Sequence, residues 1–226
     1  MSETVHDVEL FGHWICPFSV RVSFALAVRS IAHRVVEVPP SAVRPKGFVV
    51  PEAFTLHSPR LEIPLLRIDQ TYLADSIPIL EWLDAVFPGT WESSEVVAQR
   101  CQWIDAKLFR PMISIYYGTS PNEIRVASET LDQRLNELGE LLGHNEWLVG
   151  SGPSRAEAVL APLYVRLHGL SQLGWTGTLP KVVALHAQRT MSLAGAASVE
   201  WTSAQTEEFV ARFLAYRRKM SAGISR

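Results

Sequence analysis

The sequence predicts an α/β domain followed by an all-helical one. Strand and helix signals alternate through the first 88 residues, Pro88-Gly89-Thr90 then punctuates the chain, and every later periodicity is that of a helix. The expected domains are residues 1–88 and 89–226. A chain of 226 residues is long enough to bury a sizeable core in such an arrangement.

Residues 8–11 read as a short strand closed by Gly12, and residues 17 to about 30 as a helix with Val20, Phe24, Ala27, Val28 and Ile31 on one face. Residues 33–38 give a second strand. Pro39, Pro40, Pro45, Gly47 and Pro51 then impose an irregular segment with room for a short, poorly formed helix at most. Residues 63–68 and 71–74 form a hairpin about Asp69-Gln70. A helix follows at once, capped by Asp75 or Ser76, with Pro78 in its first turn and Ile77, Leu80, Leu83 and Phe87 buried. The order βαβ, loop, ββα is that of a thioredoxin-like fold. Beyond residue 90, helices are expected over 95–117, 124–142, 154–170, 181–189 and 206–220, the last burying Phe209, Val210, Phe213 and Leu214.

Composition narrows the function classes. The formal net charge is −2 with no dense Lys/Arg run, so nucleic acid and anionic lipid are not expected partners. No uninterrupted apolar run approaches the roughly 18 residues of a membrane span, and the first seven residues lack the basic region of a secretory signal. Two distant cysteines, Cys16 and Cys101, fit a reducing cytoplasm better than a disulfide scaffold. The seven histidines show no His-x3-His spacing and no Cys-x2-Cys is present, so no metal is expected. Gly-x-Gly-x-x-Gly, Walker and Gly-x-Ser-x-Gly motifs are also missing.

The chemistry concentrates at Leu-Phe-Gly-His-Trp-Ile-Cys-Pro-Phe-Ser-Val-Arg-Val, which starts at Leu10. Pro17 suits the first position of a helix, which places Cys16 where the helix aims its orphan N–H groups. Those donors and the positive helix end favour a thiolate there. A small buried cysteine that only packs is the plain alternative for any free thiol.

This run resembles the first βα unit of the cytosolic glutathione transferases, with a tau-like framework around an omega- or lambda-like Cys-Pro-Phe. The resemblance implies a thioredoxin-like glutathione-binding domain, a helical substrate-binding domain and a catalytic role for Cys16. Further on, Ser58-Pro59-Arg60-Leu61-Glu62-Ile63-Pro64-Leu65-Leu66 is similar to the family's Asn-Pro-x-Gly-x-Val-Pro-x-Leu. That similarity implies a cis Pro64 and an Ile63 backbone that pairs with the cysteinyl backbone of glutathione. Asp75-Ser76 looks like the family's acidic-Ser pair, in which the carboxylate meets the γ-glutamyl ammonium and the Ser hydroxyl meets its carboxylate. In isolation Asp-Ser before an apolar run is only an N-cap. Glutathione-binding residues implied in this way are Cys16, Phe18, Glu62, Ile63, Pro64, Asp75 and Ser76.

Two positions depart from the family pattern. Glu62 stands where a Lys or Gln is usual, and its carboxylate repels the glycyl carboxylate of glutathione unless Arg60 or another cation compensates. Leu61 replaces the family's Gly, which suggests a different loop path. In the second domain, Ser154 and Glu157 read as a structural capping box. Cys101 reads as inert.

The resemblance also implies an apolar pocket for a second substrate. Its candidates are Trp14 and Ile15 from the first loop and Phe109, Met112, Ile113, Tyr116 and Tyr117 from the helical domain; all are also plausible core, and the Tyr116-Tyr117 pair is favoured because a phenol can both stack and donate. The function implied is conjugation of glutathione, as co-substrate, to a small hydrophobic electrophile such as an epoxide, halide or activated alkene, in a detoxification role. A second reading is a glutathione-dependent thiol-disulfide oxidoreductase with Cys16 as nucleophile. A third is a non-catalytic member that binds a ligand or partner. A cytoplasmic homodimer is the form the resemblance implies.

Overall fold

A computed structural model describes residues 6–87 and 91–223, and it divides into two compact units. The first comprises Met1–Trp91 together with Leu193–Val199, and the second Glu92–Ser192 together with Glu200–Arg226. The Pro88-Gly89-Thr90 punctuation lies outside the described residues.

In the first unit the elements run β1 (Val8–Gly12), α1 (Pro17–Val28), β2 (Arg34–Glu37), a 3₁₀ turn (Ser41–Val43), α2 (Glu52–His57), β3 (Leu65–Ile68), β4 (Thr71–Ala74) and α3 (Ser76–Val86). The sheet order is β2-β1-β3-β4, with β1 parallel to β2 and antiparallel to β3, and β3 antiparallel to β4. Parallel pairing of β1 and β2 requires a crossover, and α1 supplies it. Buried Glu9 on β1 ties three strands together by pairing with Arg34 of β2 and with Arg67 of β3 at 3.1 Å. The mixed sheet with its helices is the thioredoxin-like arrangement expected from the sequence.

Helix α1 departs from its expected stripe. Ser19, Arg21, Val22, Ala25 and Leu26 are buried along with Val20 and Phe24, while Ala27 and Val28 are only half-buried. The reason is that α1 packs against β1, α3 and a 3₁₀ turn at Ala196–Val199, which covers it from the far end of the sequence. Gly195 makes that approach feasible. Its φ is +88°, and a Cβ there would lie 2.4 Å from the Ala27 carbonyl oxygen. On α3 the buried set is Ser76, Ile79, Leu80 and Leu83, so Ile77 and Phe87 are less buried than expected.

The second unit is helical: α4 (Glu95–Ile104), α5 (Arg110–Tyr117), α6 (Pro121–Leu142), α7 (Arg155–Gln172), α8 (Lys181–Met191) and α9 (Ser203–Gly223). A π turn at Asp105–Phe109 divides what the sequence predicts as one helix over 95–117. Pro111 has no N–H to offer the preceding turn, and a widened turn accommodates that loss. The Ser154–Glu157 capping box forms as predicted. Glu157 is fully buried and accepts from the backbone of Leu148 at 2.9 Å and of Ser154 at 2.7 Å, with His186 at 3.3 Å. On α9, Phe209, Val210 and Phe213 are buried, whereas Leu214 is exposed. Cys101 is buried in α4. Among the described residues no helix is long and apolar enough to cross a membrane.

Candidate active site

The site is built from the bottom of α1 outward. Cys16 occupies the cap position of α1 in extended backbone, φ −82° and ψ 118°, with Pro17 beginning the helix. Its carbonyl accepts the first helical bond from Val20 at 3.1 Å. Its side chain does not cap the helix. The Sγ instead donates to the Ile63 carbonyl at 3.8 Å, within the reach of a weak thiol donor. The thiol retains 8% exposure at the edge of a cluster formed with Phe11, Val38, Phe54, Ile63 and Leu65. Phe18 packs on the same cluster.

Ile63 is presented by a loop with its own internal clamp. Buried Ser58 donates to the Glu62 carbonyl at 3.0 Å and accepts from the Glu62 N–H at 3.1 Å. Leu61 adopts φ +55°, the left-handed conformation that a glycine takes without cost. Leucine in place of glycine therefore keeps a left-handed backbone at this point. The Ile63–Pro64 peptide is cis.

Asp75 stands at the cap position of α3, yet its carboxylate caps nothing. Its φ is +70°, a conformation an aspartate adopts only when its surroundings impose it. The carboxylate turns to Arg60, whose Nη2 donates to Oδ1 at 2.5 Å. The same guanidinium donates through Nε to Glu62 at 2.9 Å. The bond to Glu62, followed by the charges of Asp75 and Glu62, raises the Arg60 pKa above its ordinary value. Glu62 is thus compensated by Arg60, the condition on which the sequence left glutathione binding to depend.

Next to Asp75, the buried Ser76 hydroxyl accepts from Arg21 Nη1 at 3.2 Å. Arg21 is itself buried on α1, with its guanidinium 4.9 Å from the centre of the Phe18 ring. A path of direct contacts and adjacent residues therefore joins Cys16, Ile63, Glu62, Arg60, Asp75, Ser76 and Arg21, which lies on α1 again.

The residues expected to line an apolar pocket fall in two groups, one in each unit. In the first, Ile15 is buried and donates its N–H to His13 Nδ1 at 3.2 Å, and half-buried Trp14 lies against the His13 ring at 5.5 Å. In the second, Phe109 and Met112 are buried in the helical core. Buried Tyr116 packs on Phe209 and Phe213, whereas Tyr117 keeps 37% of its surface and contacts Phe213 and Tyr216. Of the seven candidates, Trp14 and Ile113 are half-buried and Tyr117 is exposed, while the other four are buried.

Residues 15–86 match the model of the glutathione S-transferase N-terminal domain. Those residues, within the first unit, are similar to the N-terminal domain of the glutathione S-transferases. A curated relative is glutathione S-transferase U1 of Arabidopsis thaliana, 30% identical over 99 residues, a stretch that covers 44% of this chain and 40% of that protein. Among solved structures, rice GST1 (OsGSTU1) in complex with glutathione superposes with a TM-score of 0.79 at 17% identity, covering 96% of this chain and 98% of that one. Glutathione transferase Omega 3C from Trametes versicolor gives 0.78 at 15% identity, covering 94% and 92%. These likenesses establish the glutathione transferase fold across both units.

The matched glutathione transferase domain spans Cys16, Phe18, Glu62, Ile63, Pro64, Asp75 and Ser76. Sequence reasoning missed the positions that tie these residues together. Arg21 reads as an ordinary charged helix residue, and only its place among Val20, Val22 and Phe24 hints that it is buried. Ser58 reads as a turn residue. Arg60 reads as a partner for Glu62, while its reach to Asp75 joins positions remote in sequence.

Proposed function

We propose that the chain binds glutathione on its first unit and transfers it to a small hydrophobic electrophile such as an epoxide, halide or activated alkene. The observation that supports this most is the contact path from Cys16 through Ile63 to Asp75 and Ser76. A thiol, a backbone N–H and C=O, a carboxylate and a helix start bearing a hydroxyl complement the thiol, peptide and α-amino-acid groups of a γ-glutamyl thiol. The Ile63 backbone holds the cysteinyl residue, Asp75 takes the α-ammonium, and Ser76 with the α3 N-terminus takes the α-carboxylate. Pro64 fixes the bend and Phe18 backs the site. The helix end at Cys16 faces the glutathione sulfur and favours its thiolate. In the reaction the glutathione thiol gives its proton to solvent and its sulfur attacks carbon. A C–S bond forms, and halide leaves or the epoxide C–O bond breaks to an alkoxide that takes up a proton. Within the first unit, half-buried Trp14 is the pocket candidate that supports contact with the electrophile. The protein acts as a cytoplasmic homodimer, in a detoxification role.

A second reading is favoured by the thiol itself. Cys16 attacks the glutathionyl sulfur of a mixed disulfide, the substrate thiolate leaves, and a second glutathione thiolate releases Cys16 as glutathione disulfide forms. No second cysteine stands near enough in the motif to resolve the intermediate, because position 19 is Ser19.

Wild type, Cys16→Ser and Cys16→Ala, assayed for conjugation and for disulfide reduction, separate these readings. Conjugation by wild type that Cys16→Ser spares or improves, with no reduction, supports the first. Reduction abolished in both variants supports the second. Calorimetry with glutathione tests both, because no binding heat in wild type would leave a non-catalytic binding protein.

A further inference from the structure

The Asp75 carboxylate is already engaged. Arg60 holds it at 2.5 Å while holding Glu62 at 2.9 Å, and all three side chains are more than half exposed. One guanidinium thus serves two carboxylates at the mouth of the site. We infer that Arg60 is a tethered competitor for the ammonium subsite, a specificity-determining residue that weakens selection for the α-ammonium of the thiol co-substrate. This rests on the glutathione reading above.

An ammonium group approaching Asp75 must displace Arg60 Nη2 or share the carboxylate with it, because both are cations seeking the same oxygen atoms. Glu62 decides how readily that happens. Its bond to Nε keeps the guanidinium paired after Nη2 lets go, so displacement does not strand a charge. Without Glu62, Arg60 has only Asp75, and the ammonium meets a stronger rival. Exposed ion pairs are weak, and removal of the rival therefore changes affinity by no more than about fivefold.

Two peptides isolate the effect from net charge at the glycyl end: glutathione, and its des-amino analogue with glutaryl-cysteinyl-glycine structure. The ratio of their dissociation constants, measured by calorimetry on the full chain, reports selection for the ammonium alone. In Arg60→Gln the ratio should rise about three- to fivefold over wild type. In Glu62→Gln it should fall below the wild-type value, and in Asp75→Asn it should approach one. A ratio in Arg60→Gln that is unchanged or lower overturns the competitor role while leaving the glutathione reading intact. Binding of neither peptide by wild type overturns the glutathione reading and the competitor role with it. Arg60 is exposed and bonds only through its tip to exposed groups, so circular dichroism should show the variants folded.

Discussion

Buried Arg21, on the helix that begins at Cys16, donates a hydrogen bond to Ser76 Oγ at the first residue of α3. Two helix N-termini are thereby held in register by a charged donor with little access to water. Ser76 serves both structure and ligand: its hydroxyl accepts from Arg21 and, in the proposed complex, donates to the γ-glutamyl carboxylate.

Ser76→Ala should therefore lower stability and affinity together. Loss of a hydrogen bond from a buried charged donor costs roughly 1.5–3 kcal/mol, readable as a reduced urea midpoint at constant slope. Glutathione binding, measured by calorimetry, should weaken as well. Full stability in Ser76→Ala would show that Arg21 does not depend on this contact.

Leu61 carries a backbone conformation that its side chain disfavours. The left-handed region costs an L-residue about 1–2 kcal/mol, part of which glycine gives back through the entropy of its unfolded chain. Leu61→Gly should raise stability by roughly 0.5–1 kcal/mol. A rise in the thermal midpoint checks it, and a fall would mean that the partly exposed leucine side chain contributes more packing than its surroundings indicate.

Tyr164 on α7 contacts His186 Nδ1 at 2.8 Å in the buried network around Glu157. Burial, and secondarily the Glu157 charge, raise its phenol pKa well above the ordinary value. The folded pKa exceeds the unfolded one, so this group's contribution is intact below about pH 10 and is lost as pH rises from there through the folded value. Tyr164→Phe should cost about 1 kcal/mol at neutral pH and should flatten the alkaline loss of stability. Denaturant unfolding at neutral and alkaline pH decides this, with parallel losses in the two proteins counting against it.

Much of this architecture was legible because it rests on local signals. Pro17 announces the start of α1, Asp69-Gln70 the hairpin, and Ser154 with Glu157 the cap of α7. Three features were not legible, each for its own physical reason. The π turn before Arg110 preserves helical periodicity well enough to pass as straight helix. The buried faces of α1 depend on residues far along the chain, which periodicity cannot register. Within the candidate site, the family resemblance singled out Cys16, Ile63, Pro64, Asp75 and Ser76, but not the side chains that brace them. Arg21 and Arg60 act through tertiary geometry, and a lone arginine carries no pattern.

The return of Leu193–Val199 to the first unit sets the order in which the protein can be completed during synthesis. The sheet and its helices leave the ribosome early, but the surface of α1 that receives Ala196 and Val199 stays bare until almost the whole chain has been made. The part of the molecule translated first is thus among the last to be finished. A fragment ending near Trp91 would carry that bare surface permanently, which makes it a poor stand-in for the domain it contains.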